Sequence, residues 1–331
     1  MLTLKSTPGN PVPPGATLVP VRTADGQTLR AAYWRPVSRT EKGTVCLMQG
    51  RAEFIEKYYE PIGELRRRGF HVVAFDWRGQ GDSSRQVRDA HKGHVARFDD
   101  YRLDLTAIAE TVLVPSTPEP HYGLAHSMGG AVAFTGALEG WLPFERLVTV
   151  APMLGIRMVK YPLGASLLSR FLQRLGLGKA YIPFGSSVSI ATKPFAGNRL
   201  SGDPVRYARN AAAANEVGAG AVGDPTIAWL ASAFRAMQRL RDPRVPPRIE
   251  IPVLIVGAGA DPVCALPATE RFAGRLRAGH LIVLPGARHE ILTESDAIRA
   301  DFWAAFDAFI PGHAGADSGV SSRRERQREQ A

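Results

Sequence analysis

The strongest constraint on this chain is a series of short, wholly apolar runs, each ending in a loop rich in glycine and reactive side chains. The runs are Gly43–Met48, His71–Phe75, His121–Ala125, Leu147–Ala151, Val253–Val256 and Leu281–Leu284. Short runs without polar alternation suit strands buried on both faces, as in the middle of a parallel sheet. Helix-patterned stretches fall between them: Tyr58–Arg68, stopped by Gly69, then Asp99–Val114, stopped before Pro115, then Met128–Leu138. This alternation predicts an α/β fold, a mostly parallel, doubly wound sheet covered by helices on both sides. Ahead of it, Ala16–Thr23 and Leu29–Arg35 flank an Asp25-Gly26 turn signal, which predicts an N-terminal antiparallel hairpin.

The alternation breaks between Pro152 and about Arg248, where Pro, Gly and Ala are frequent and helical patterns occur without a convincing strand. This stretch reads as a mainly helical insertion, a cap. The expected organisation is therefore a core of residues 1–152 and 249–311, a cap of 153–248, and a tail of 312–331. The tail carries Gly, Ser and charged residues with no apolar periodicity, so disorder is expected there. Within the cap, Leu163, Leu167, Leu168, Phe171, Leu172 and Leu175 share one side of a helical wheel, with Lys160, Arg170 and Arg174 on or beside the other. That face has three readings: packing on the core, a wall for an acyl chain, or contact with a lipid surface.

The chain's 331 residues carry a net charge of +10. The positive residues are scattered and accompany no nucleic-acid-binding motif, so a nucleic-acid partner is not expected. A solvated basic surface is the plain reading, and attraction to anionic lipid headgroups the functional one. Only two cysteines occur, Cys46 and Cys264, which argues against a disulfide scaffold or a metal cluster. No apolar stretch is long enough to span a bilayer, and Met1–Asn10 lacks a basic segment followed by an apolar core. A cytoplasmic location is expected, with peripheral contact at the inner membrane face if the basic surface binds lipid. Oligomeric state is left open.

The chemistry begins at Gly123-Leu-Ala-His-Ser-Met-Gly-Gly130, which joins a predicted strand to a predicted helix and puts Ser127 at the corner. A serine there is held in a strained conformation with its hydroxyl exposed, and small residues two positions away, Ala125 and Gly129, relieve the crowding. The plain alternative makes Ser127 a helix N-cap. Two later strand ends supply what a nucleophilic serine needs. Gly257-Ala-Gly-Ala-Asp261 follows one, and Pro285-Gly-Ala-Arg-His289 follows the next. Serine, acid and histidine in that order, on loops at the carboxyl ends of strands, fit acyl transfer in a doubly wound sheet. Of the eight histidines, only His289 has both the order and the post-strand loop. His91 and His94 lack a carboxylate or cysteine pattern to complete a metal site, so neither metal nor cofactor is expected. The oxyanion hole is assigned to the backbone N–H groups of Met128 and of Arg51, which follows Gly50 in the loop after the Gly43–Met48 run. Leu167, Leu168 and Phe171 are the candidate substrate contacts.

With these residues in view, the chain resembles the α/β-hydrolase superfamily from about Ala16 to Phe309, in the branch of lysophospholipases and monoacylglycerol lipases. The markers are Gln49-Gly-Arg-Ala-Glu53, Asp76-Trp-Arg-Gly-Gln-Gly-Asp-Ser83, His126-Ser-Met-Gly-Gly130, Ala151-Pro-Met-Leu-Gly-Ile156, Asn198–Tyr207, and the loops carrying Asp261 and His289. Monoacylglycerol lipases have His-Gly where this chain has Gln49-Gly50, and Gly50-Arg51 is closer to the lysophospholipase pattern. The resemblance implies a cofactor-free serine esterase acting on a lysophospholipid, with monoacylglycerol lipase or general carboxylesterase as the alternative. A serine aminopeptidase would want an acidic cluster for a substrate amino terminus, but the cap is basic. A non-catalytic binding protein would be expected to lack one of Ser127, Asp261 and His289.

Overall fold

The computed structural model describes residues 2–311. The expected disordered tail, residues 312–331, lies outside the described residues. Eight strands form one sheet: β1 (Thr17–Arg22), β2 (Thr28–Trp34), β3 (Thr44–Met48), β4 (His71–Phe75), β5 (His121–His126), β6 (Arg146–Val150), β7 (Val253–Ala258) and β8 (Gly279–Leu284). Their spatial order is β1-β2-β4-β3-β5-β6-β7-β8. β1 and β2 pair antiparallel, as do β2 and β4, and every later pairing is parallel. The predicted mostly parallel sheet with an N-terminal hairpin is the observed one.

Period-two alternation within the apolar strands divides the core between the two faces. Cys46 and Met48 of β3, Val73 and Phe75 of β4, and Val253 and Ile255 of β7 point into one apolar layer. Val45 and Leu47, Val72 and Ala74, and Leu254 and Val256 point into the other. The second layer is closed by α1 (Tyr59–Arg67), through Ile62 and Leu65, and by the final helix, through Phe302 and Phe306. The first is closed by α2 (Asp100–Ile108), by α4 (Met128–Glu139) and by helices that follow β6. α2 does not stop before Pro115. It runs through a π-helical turn at Ala109–Leu113 into a last turn, α3 (Val114–Ser116). Pro115 then sits at the start of a turn, where its missing N–H removes no bond.

Between β6 and β7 lie α5 (Pro162–Arg174), α6 (Pro204–Val217) and α7 (Ile227–Leu240), and no strand. α7 places Trp229, Ala233, Phe234, Met237 and Leu240 in the same apolar layer as α2 and α4. After β7 come α8 (Leu266–Ala273), β8 and α9 (Asp296–Phe309). Two stretches of this intervening segment are tied down. The Ser201 hydroxyl donates to the Thr293 carbonyl (2.7 Å), the Gly202 N–H to Glu294 (2.9 Å), and the Glu290 N–H to the Leu200 carbonyl (2.8 Å). Around residues 219–226, Gly220 accepts from the Gly81 N–H (2.9 Å), and the Gly223 N–H donates to the His91 carbonyl (2.8 Å).

Candidate active site

The turn from β5 into α4 is made by Ser127 alone, at φ 51° and ψ −111°, a conformation costing a non-glycine residue on the order of 1–3 kcal/mol. Neighbouring backbone holds it there. The Ser127 N–H donates to the Val150 carbonyl (3.0 Å), and its carbonyl accepts from the Met153 N–H (2.9 Å). The hydroxyl caps nothing in α4, which removes the N-cap reading and leaves Oγ free for another partner. The small residue two positions on has a steric cause. A Cβ on Gly129 would be driven into the Met48 and Gln49 carbonyl oxygens, where α4 crosses the end of β3.

The free hydroxyl meets the imidazole that the chain order singles out. His289 Nε2 lies 3.0 Å from Ser127 Oγ, and its Nδ1 lies 2.8 Å from Asp261 Oδ2. The other oxygen of Asp261 accepts from the Val263 N–H (2.7 Å) and the Cys264 N–H (3.0 Å). Burial pushes the Asp261 carboxyl upward. The hydrogen bond and charge of His289, with the two backbone donors, outweigh burial and hold it below the ordinary carboxylate value. Asp261 is therefore ionised at neutral pH, with Nδ1 as donor and Nε2 left to accept from the serine. All three side chains are more than nine-tenths buried. Such a relay can deprotonate a hydroxyl for attack on an acyl carbon and return the proton to a leaving group.

The loop after β3 approaches the same corner. Among the described residues, neither the Arg51 N–H nor the Met128 N–H donates to a protein acceptor. Met128 also opens a helix, where free N–H groups and the helix dipole favour negative charge. The Arg51 side chain turns away to bond the Gly223 carbonyl (2.8 Å) and lies 5.6 Å from the centroid of the Trp229 ring.

Two supports of this loop lie in residues that stand in the sequence only as family markers or neighbours of the serine. Gln80 braces it with three hydrogen bonds: its amide donates to the Gly50 and Glu53 carbonyls (2.8 Å each), and its oxygen accepts from the Ala52 N–H (3.1 Å). The second support is a buried charged network. Glu53 accepts from the Gly50 N–H, from Tyr58 (2.6 Å), from Lys57 (2.9 Å) and from His126 Nδ1 (2.9 Å). His126 Nε2 reaches the His289 carbonyl (3.1 Å), while Lys57 also binds Glu290 (2.7 Å). Burial disfavours charge on both Glu53 and His126. Lys57 and His126 nevertheless pull the carboxyl far below its usual range, and Glu53 raises the imidazole. With the Glu53 carboxylate at one nitrogen and the His289 carbonyl at the other, His126 joins the loop after β3 to the histidine loop. A Glu three residues after Gly50 and a His before the serine were the available signals. Nothing in a linear sequence says that they meet.

The remaining candidates fall elsewhere. Leu167, Leu168 and Phe171 are 66%, 51% and 57% exposed on α5, whose only buried residue is Ser169. The helix turns its smaller side chains toward α7 and its large apolar ones to solvent, so these three form an outward face, not an enclosed acyl slot. His94 is buried against the Thr226 hydroxyl (2.8 Å), and burial with Lys179 and Lys92 pushes it down to about 4. It is a neutral structural residue and makes no pair with the exposed His91.

A parallel-centred eight-stranded sheet, a strained serine between β5 and α4, and acid and histidine after β7 and β8 define an α/β hydrolase with a serine-type centre. The profile described as "Serine aminopeptidase, S33" matches residues 39–296, and the chain belongs to that α/β-hydrolase family. It is similar to lysophospholipase L2 of Escherichia coli strain K12, with 34% identity over 293 residues, 81% of this chain and 80% of that protein. The probable lysophospholipase L2 of Haemophilus influenzae is 29% identical over 282 residues, 83% of this chain and 86% of that protein. In fold it resembles a soluble variant of monoglyceride lipase from Saccharomyces cerevisiae, solved with a substrate analog. There the TM-score is 0.69 and the identity 19%, across 89% of this chain and 96% of that one.

Proposed function

We propose that the protein cleaves the acyl ester of a single-chain lipid, a lysophospholipid in the first place, through an acyl-enzyme on Ser127. The observation that carries this reading is the unbroken relay from Ser127 Oγ through His289 to Asp261. His289 Nε2 accepts the Ser127 proton as Oγ bonds to the ester carbon, and the carbonyl π-pair moves onto oxygen. The N–H groups of Met128 and Arg51 hold that oxyanion; each such donor is worth about 3 kcal/mol in the transition state. The tetrahedral adduct re-forms the carbonyl and expels the alkoxide, which takes the proton from His289. Water attacks the acyl-enzyme by the same route and releases the fatty acid.

Two observations favour a phospholipid headgroup over a neutral glyceride. Relatives similar to the chain over about four-fifths of its length are named lysophospholipase L2 or probable lysophospholipase L2. In addition, an open hollow of about 600 Å³ beside the Asp261 loop is lined by Arg157, Arg199, Met158, Gly259, Ala260 and Pro262. Its two guanidinium groups suit a phosphodiester. The helical segment 153–248 acts as the cap in this reading. The outward face of α5, with Leu163, Leu167, Leu168 and Phe171 beside Lys160 and Arg174, rests on anionic lipid. No helix among the described residues is long and apolar enough to cross a membrane.

Mapping a fluorophosphonate adduct tests the nucleophile, and modification at any residue but Ser127 counts against it. Fatty-acid release should be faster from lysophosphatidyl substrates than from monoacylglycerols, and both faster than cleavage of aminoacyl-naphthylamides; a reversed order removes the lipid reading. Leu167→Glu with Phe171→Glu should abolish sedimentation with anionic vesicles, and raised salt should weaken it in the unaltered protein. Unchanged sedimentation in both cases removes the membrane role.

A further inference from the structure

Cys264 is a free cysteine, buried in the corner that holds the relay, and the proposed chemistry makes no use of its sulfur. Its backbone N–H donates to Asp261, and its thiol is a hydrogen-bond neighbour of Ser127. Its side chain has neighbours of a particular kind. One ligand atom each from Asp261, Cys264 and His289 lie within 4.8 Å of one another, and all three residues are buried. An oxygen, a sulfur and an imidazole nitrogen make a donor set that tetrahedral zinc accepts, with water or an alcohol as fourth ligand. Around zinc such atoms sit roughly 3.3–3.8 Å apart, so side-chain adjustments of about 1 Å complete the geometry.

We propose that Asp261, Cys264 and His289 form a latent site for a thiophilic divalent cation, zinc above all, whose occupation switches the hydrolase off. Two features give the site its selectivity. The thiolate ligand disfavours magnesium and calcium, which prefer all-oxygen shells. The relay holds Asp261 and His289 side by side, so the ion meets two of its ligands already close together. On binding, the thiol loses its proton to solvent as sulfur bonds to the ion, and one imidazole nitrogen gives its lone pair to the metal. Coordination through Nε2 takes away the acceptor for the serine proton. Coordination through Nδ1 breaks the bond to Asp261. Either mode leaves Ser127 without its base. The loss of activity therefore rests on the reading of Ser127, Asp261 and His289 as the catalytic set, whereas binding of the ion does not.

The test uses the full-length protein, the Cys264→Ala and Cys264→Ser variants, and the metal ions alone. Affinity is read by calorimetric titration with zinc and by the thiolate-to-cobalt charge-transfer band on titration with cobalt. Activity is read as ester turnover at buffered free zinc, each variant being compared with its own metal-free rate. We expect one zinc per chain, a cobalt–thiolate band, loss of turnover restored by EDTA, slower fluorophosphonate labelling of Ser127, and no effect of magnesium. Both variants should lose the band and bind zinc more weakly by roughly 10–100-fold or more, since changes merely adjacent to a metal site have effects of that size. Equal zinc affinity in the variants, or no cobalt–thiolate band in the unaltered protein, overturns the site. Tight cysteine-dependent binding that leaves turnover intact instead overturns the catalytic assignment, so the two failures are distinguishable.

Discussion

Gln80→Ala separates the support of the oxyanion loop from the reacting groups themselves. Gln80 hydrogen-bonds to none of Ser127, Asp261 or His289, yet its three bonds engage the Gly50 carbonyl just before Arg51, the Ala52 N–H just after it, and the Glu53 carbonyl. Each bond is worth about 1 kcal/mol net, and leaving buried partners unpaired costs about 1–3 kcal/mol apiece unless water replaces the amide. With water admitted, a loss of roughly 3 kcal/mol in stability is expected. The kinetic cost comes from the Arg51 N–H, whose direction is set by this loop. Complete loss of one oxyanion donor costs about 10²–10³ in kcat, so a loosened one should cost about 10–100-fold. The interaction strengthens only as charge develops on the oxyanion, so kcat should fall while KM changes little. The assay is steady-state hydrolysis of a short acyl ester, normalised to active sites counted by fluorophosphonate labelling, alongside a thermal melt. A variant with a lowered melting point but kcat within about twofold of the parent would refute the link between Gln80 and the oxyanion hole.

Ser127→Ala should abolish all but a trace of turnover, and Asp261→Asn should lower kcat by about 10³–10⁴ because the amide favours the wrong imidazole tautomer; pre-steady-state acylation would check both. In His126→Gln the raised folded-state pKa of His126 is lost. Its contribution to stability is full below the unfolded value of about 6.5 and disappears as pH rises through the folded one, so the parent–variant difference in melting temperature should be largest in mild acid and shrink toward alkaline pH. A pH-independent difference would mean that the ion pair with Glu53 is not its source. Gly129→Ala forces a methyl group into the Met48 and Gln49 carbonyls, and should yield little folded protein or a melting point many degrees lower; a normal melt would show that the α4–β3 crossing can widen.

The sheet and the relay were legible for the same reason. Strands buried on both faces must be continuously apolar, and the groups they carry to one edge fall in the loops that follow. Val253–Ala258 announced itself in this way, the half-exposed edge strand Gly279–Leu284 only by its apolar run from Leu281, and Asp261 and His289 by standing just beyond them. The face of α5 was not legible. A helical wheel shows that Leu167, Leu168 and Phe171 lie together but not which way they point, and packing against α7 turned them outward. Pro115 misled in a smaller way, because a widened turn just before it admits a ring that a regular helix would refuse. The bracing by Gln80 and by Glu53 with His126 needed the third dimension, since it joins residues up to 73 positions apart.

The fastening of residues 200–202 to the backbone beyond His289 limits how a substrate can enter. Those bonds and the lacing near residue 220 anchor both flanks of the intervening α6, so lifting the whole segment would pull on the loop that carries His289, the proposed base. Within that segment α5 carries neither set of bonds and keeps its large apolar side chains in solvent, so a displacement limited to α5 would leave His289 where it stands.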